Sequence, residues 1–140
     1  MNFGMLGAGA ALGIAALGSA IGIGTAGSAT IGAWKRCYLN NKPASSILTV
    51  FAGAPLTQTI YGYLAMMFIS GSEKDSWYLL GLGIFAGIAM AFSAIAQGKA
   101  GAAGSDAFAE TGKGFSQYIA VVGLCETVAL FVMAFCLISV

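Results

Sequence analysis

Glu126 lies in the middle of QYIAVVGLCETVALFVMAFCLI, residues 117–138, and is the one acid at the centre of an apolar stretch. An ionisable group inside a membrane costs at least a few kcal/mol, so it marks an ion or proton path by default. The plain alternative is a protonated Glu bonded to a neighbouring helix. Its companions decide between the two. Gln97 and Glu126 are centred on positions 111–112, within the polar segment SDAFAETGKG at 105–114. The matching pair of the first half, Ile23 and Gln58, is centred on 40–41, within CYLNNKP at 37–43. This spacing puts Gln58, Gln97 and Glu126 at one depth, about 14 residues or roughly 20 Å below the loop tips.

Thr57 and Gln58 are adjacent, and Tyr61 follows at i+4 and i+3, so the three share a helix face. Pro55 removes a helix hydrogen bond and bends the segment, which frees backbone carbonyls to act as ligands. A hydroxyl, two amide carbonyls, a carboxylate and a backbone carbonyl form an all-oxygen donor set. Such a set suits a hard cation, and one negative charge suits a monovalent ion better than Mg²⁺ or Ca²⁺. A proton needs only the carboxyl and one acceptor. For any single Gln or Thr, a helix-to-helix hydrogen bond is the simpler reading. Four polar groups converging on one acid point to a site.

The elements that position these residues follow from composition. Of 140 residues, 59% are hydrophobic and 8% charged. A soluble chain of this length could not cover its surface with so few charges, so a soluble enzyme and a disordered linker are excluded. The net charge of +1 leaves no basic patch for nucleic acid. Without histidine, and with only Cys37, Cys125 and Cys136 at unpaired spacings, the chain offers neither a zinc site nor a disulfide framework. The expected fold is an all-α membrane protein with four spans, at roughly 3–33, 45–70, 77–106 and 114–139, several long enough to tilt. MNFGMLGAGAALG has no basic flank and reads as the first span rather than a signal peptide. Lys35, Arg36 and Lys42 mark the first loop, and Lys113, with Lys99 leading in, marks the third. This bias puts loops one and three in the cytoplasm and both termini outside. Lys99 would snorkel toward the cytoplasm.

The chain also repeats itself. GSAIGIGTAG at 18–27 matches FSAIAQGKAG at 92–101, offset by 74, and LTQT at 56–59 matches LCET at 124–127, offset by 68. The reading is a duplicated helical hairpin in parallel topology, with a first hairpin at 1–72 and a second, carrying the acid, at 73–140. The glycines concentrate in the first helix of each hairpin, including the pairs Gly9/Gly13, Gly18/Gly22 and Gly83/Gly87. In lipid such density serves close helix approach. Spans two and four carry Tyr61, Tyr63, Met66, Phe68, Phe131 and Phe135. Small side chains inside and bulky ones outside give the taper of a closed ring, in which Gly22→Leu is expected to block closure.

At APLTQTIYG (54–62), AIAQGKAGAAG (94–104) and LCETVALF (124–131) the sequence resembles the duplicated rotor-ring proteolipids of V-type ATPases, known as the K or c subunits. The resemblance covers the whole chain, and P-x-T-Q-x-x-Y-G with the Gln of the third span is similar to the sodium-translocating bacterial members. It implies a Na⁺ site formed by Thr57, Gln58, Gln97, Glu126 and the backbone carbonyl of Ala54, with Tyr61 hydrogen-bonded to Glu126. Ala54 stands where a larger aliphatic residue is usual. The resemblance further implies a non-catalytic, ion-translocating subunit of a rotary ATPase in the cell membrane, without an organic cofactor. Its partners would be identical subunits in a ring, a stator membrane subunit and, through the cytoplasmic loops, central-stalk subunits. One acid per four helices gives one ion per chain, which favours an ATP-driven pump over a synthase. The alternatives are a proton-translocating ring of the same class, a small four-helix multidrug-type antiporter and a purely structural proteolipid. The antiporters place their Glu in the first helix among aromatics.

The orientation is testable. A cysteine placed at Asn41 should react with an impermeant thiol reagent only from the cytoplasmic side. Labelling from outside inverts the topology.

Overall fold

Asn2 opens the first helix: its side-chain oxygen accepts from the backbone N–H of Met5 at 3.3 Å. In the computed structural model, which describes residues 2–140, this helix (α1) runs over Phe3–Leu39. After the turn that follows come α2 (Leu48–Gly53), a 3₁₀ turn (Ala54–Leu56), α3 (Thr57–Ser70), α4 (Ser76–Thr111) and α5 (Phe115–Ser139). Asp75 caps α4 by accepting from the N–H groups of Trp77 at 3.0 Å and Tyr78 at 3.1 Å.

Three helices, α1, α4 and α5, are long and apolar enough to cross a membrane. The stretch expected as a second span at 45–70 is instead broken. Pro55 has no N–H to give the carbonyl one turn back, so the chain tightens into the 3₁₀ turn before α3 begins. The other boundaries also move. α1 outlasts its expected end at 33, and at 37 residues reaches about 55 Å. The third span runs to Thr111 rather than 106, because the polar segment stays helical. Arg36 on α1 pairs there with Asp106 on α4, and Phe108 stacks edge-on to Phe115 of α5. The helix ends where Gly112 takes a left-handed φ of 65° and its N–H returns to the Phe108 carbonyl at 2.8 Å.

α1 and α4 pack along their length, side by side and parallel. Gly18 lies against Ala91, Gly22 against Ala94, and Thr30 shares a 2.7 Å hydrogen bond with Ser105. A side chain at Gly83 would strike the backbone of Gly7, and one at Gly98 that of Gly22. Only glycine permits such backbone contact. α3 packs on α1, α4 and α5, and α5 packs on α3 and α4. Two apolar clusters result. One, around Ala11, Ala65, Met90 and Ala129, lies toward the end carrying residues 71–75. The other, around Ala33, Leu48, Phe51 and Val122, lies toward the opposite loops. The polar residues of interest fall between them. Large apolar side chains such as Leu17, Phe85, Phe92, Phe131 and Ile138 remain exposed, as suits a lipid or subunit environment.

One glycine expectation changes. Gly22 is enclosed by Ala94 and Pro55 of the same chain. Its replacement by Leu therefore damages the subunit itself rather than ring closure alone. Gly98→Leu should likewise destabilise the folded chain, by about 2 kcal/mol or more, read as loss of helicity at lower SDS. Unchanged resistance would contradict the packing.

Candidate functional site

Three helices bring the chemistry together. α3 presents Thr57, Gln58 and Tyr61 immediately after the proline turn, α4 presents Ser93 and Gln97 one turn apart, and α5 presents Glu126. Gln58 and Gln97 are both fully buried, at 0% exposure. Such groups must find partners, and they do. Gln58 Nε2 donates to Gln97 Oε1 at 2.8 Å and to Ser93 Oγ at 3.3 Å. Gln97 Nε2 donates to the Val122 carbonyl at 3.0 Å and to Glu126 Oε2 at 3.2 Å. The Tyr61 hydroxyl donates to Glu126 Oε1 at 2.7 Å.

Both carboxyl oxygens of Glu126 therefore accept from a protein donor. On the α3 side the Thr57 hydroxyl lies 3.1 Å from the Ala54 carbonyl and 3.3 Å from Gln58 Oε1. These oxygens form an acceptor group on the α3 side of the layer. The Ala54 carbonyl joins it only through Thr57, whose backbone N–H it also accepts. Among the described residues no three His, Cys, Asp or Glu side chains converge, and the acids other than Glu126, namely Glu73, Asp75, Asp106 and Glu110, stand in or near the loops. Chemically, the arrangement can hold a proton on the carboxyl or a hard monovalent cation among hydroxyl, amide and carboxylate oxygens.

The structure thus joins Thr57, Gln58, Tyr61, Gln97 and Glu126 in one network. Lys99 is exposed and stands outside it. Three members were missed from the sequence: the Ser93 side chain and the carbonyls of Val122 and Cys125. Ser93 was findable, since it precedes Gln97 by one turn on the same face. The carbonyls carry no sequence signal.

Residues 80–139, which contain Gln97 and Glu126, match the model of the ATP synthase C-subunit family. Over 130 residues the chain is 37% identical to the A-type ATP synthase subunit K of Methanocaldococcus jannaschii. That alignment takes in 91% of this chain and 57% of the relative, so the chain spans little more than half the relative's length.

The network makes the two amides unequal to the hydroxyl. Gln97→Ala leaves Gln58, Val122 and Glu126 short of partners at once and should cost about 2–4 kcal/mol. Thr57→Ala should cost about 1 kcal/mol or less. Unfolding titrations of the two variants in detergent check the order, and equal losses would contradict the network.

Proposed function

We propose, from the premise that this chain is a proteolipid of the V/A-type ATPases, that it is the rotor-ring subunit carrying Na⁺ across the membrane in step with rotation. The observation that carries this reading is the single carboxylate of Glu126, hydrogen-bonded by Tyr61 and Gln97 and linked through Gln97 to Gln58 and Thr57, between two apolar clusters. Thr57, Gln58, Gln97, Glu126 and the Ala54 carbonyl are the ion ligands, and Tyr61 steadies the carboxylate. The subunit performs no bond chemistry itself. A loaded site is close to neutral and can pass through lipid. An emptied one must meet water or a stator cation, because a bare charge in the membrane costs a few kcal/mol or more. Unloading is thereby confined to one interface, and rotation becomes directional transfer. The amide and hydroxyl oxygens favour Na⁺, and a proton ring is the alternative outcome of the test below.

Residues 1–72 and 73–140 are two copies of one hairpin, with both termini outside. The register of α1 on α4 supports this. Partners such as Gly18 with Ala91 and Thr30 with Ser105 stand 73 and 75 positions apart, close to the repeat offset of 74. One hairpin therefore relates to the next by rotation without a shift in depth, as a ring requires. The glycines support closure too. Gly83, Gly87 and Gly98 of α4 lie against α1, and 74 positions earlier stand Gly9, Gly13 and Gly24, whose side-chain positions are open space. That second face of α1 receives α4 of the neighbouring copy. The loops at 40–47 and 112–114 face the cytoplasm and the central stalk. With Gln58 standing where the second hairpin has Glu126, each chain moves one ion, which favours pumping over synthesis.

Two outcomes check this reading. Gly13→Leu should leave the subunit folded yet prevent ring closure, seen as monomers by native mass in mild detergent; normal rings would remove the interface. Carbodiimide should modify Glu126 in the intact ring only when the residue is protonated and Na⁺ is absent. Na⁺ should protect, less so as pH falls. Thr57→Ala should raise the protecting Na⁺ concentration about tenfold, or about 1.4 kcal/mol, while Glu126→Gln should end transport in an assembled ring. No protection at neutral pH would favour the proton ring, and a pumping Glu126→Gln variant would defeat the rotor reading.

A further inference from the structure

Ser93 occupies a place in the site that its spacing alone does not explain. It is buried, at 5% exposure, and its hydroxyl donates to the Cys125 carbonyl at 2.6 Å. A serine hydroxyl has one hydrogen to give. With that hydrogen committed to a carbonyl, Ser93 Oγ offers only lone pairs to the interior of the site. It receives Gln58 Nε2 at 3.3 Å. A Gln58 turned end for end would set its carbonyl oxygen against these lone pairs and against Gln97 Oε1.

A second constraint closes the chain from the other side. Gln97 Nε2 faces two groups that accept, the Val122 carbonyl at 3.0 Å and Glu126 Oε2 at 3.2 Å. Gln97 must therefore present its oxygen to Gln58, and Gln58 its nitrogen to Gln97 at 2.8 Å. With both amides fixed, Gln58 Oε1 is left on the side of Thr57, 3.3 Å from its hydroxyl.

We propose that Ser93 is a positioning residue for the carried ion: from the α4 side it holds Gln58 in the polarity that the Val122 carbonyl sets through Gln97, so that Gln58 presents oxygen to the ion beside Thr57 while Gln97 presents an N–H to Glu126. This assignment rests on the sodium reading given above and adds to it a residue that touches neither the ion nor the carboxylate.

The test uses the intact ring and measures the Na⁺ concentration that half-protects Glu126 from carbodiimide, between about pH 5.5 and 8.5. Ser93→Ala should raise that concentration about tenfold and move the pH at which a fixed Na⁺ level ceases to protect upward by about one unit. Ser93→Thr, which keeps the hydroxyl, should stay within about threefold of the wild type. If Ser93→Ala does not assemble, Ser93→Cys carries the test: similar in size but a weak donor, it should shift in the same direction. Wild-type protection with unchanged Ser93→Ala or Ser93→Cys values overturns the role of Ser93 alone. Equal losses in Ser93→Ala and Ser93→Thr reduce it to packing. Absence of Na⁺ protection in the wild-type ring overturns the sodium reading, and the assignment of Ser93 with it.

Discussion

A carboxylate set between apolar helices must be met by donors, by a cation or by a proton, and the placing of Glu126 governs the rest of this chain. Its two oxygens accept from Tyr61 on α3 and Gln97 on α4, so three helices must stand at one register to within a hydrogen-bond length. Gln97 in turn accepts from Gln58, which also donates to Ser93, and both of these are buried. Side-chain amides cannot reach across helices held apart by bulky residues. Close packing of α4 on α1 at Gly18, Gly22, Gly83 and Gly98 holds the scaffold that carries Ser93 and Gln97. The proline turn does the complementary work on α3. It interrupts the helix just before Thr57, where a hydroxyl and a backbone carbonyl meet.

Under the proposed duplication a single charge serves both halves of the chain. α1 and α4 lie parallel at nearly the repeat spacing, whereas the segment after α1 is broken by the proline turn and α5 is continuous. In the first half the position of Glu126 is taken by Gln58 and that of Gln97 by Ile23. An amide can remain inside the membrane permanently, because hydrogen bonds satisfy it. A carboxylate needs donors, a cation or a proton. In the proposed reading the repeat thus divides the layer into one permanent and one loadable group.

Much of this was legible in the sequence, for identifiable reasons. Glu126 is an acid without a solvated neighbour, and no packing argument disguises it. Gln58 and Gln97 were placed beside it by counting residues from the turns, which succeeds because antiparallel helices of equal rise keep equal depth. Other features were not legible. The carbonyls of Val122 and Cys125 leave no trace in residue type. The polar segment at 105–114 looked like a loop, yet Arg36 and Phe115 hold it helical as far as Thr111. Gly9 and Gly22 looked alike in sequence, and only the structure separates the face turned outward from the face buried against α4.

The most direct test of the central claim is a count of Na⁺ bound per chain in the purified ring, by equilibrium binding of radioactive sodium at neutral pH. The account predicts one ion for each 140-residue chain and none in the assembled Glu126→Gln ring. Two ions per chain, or binding that survives the loss of the carboxylate, would contradict it.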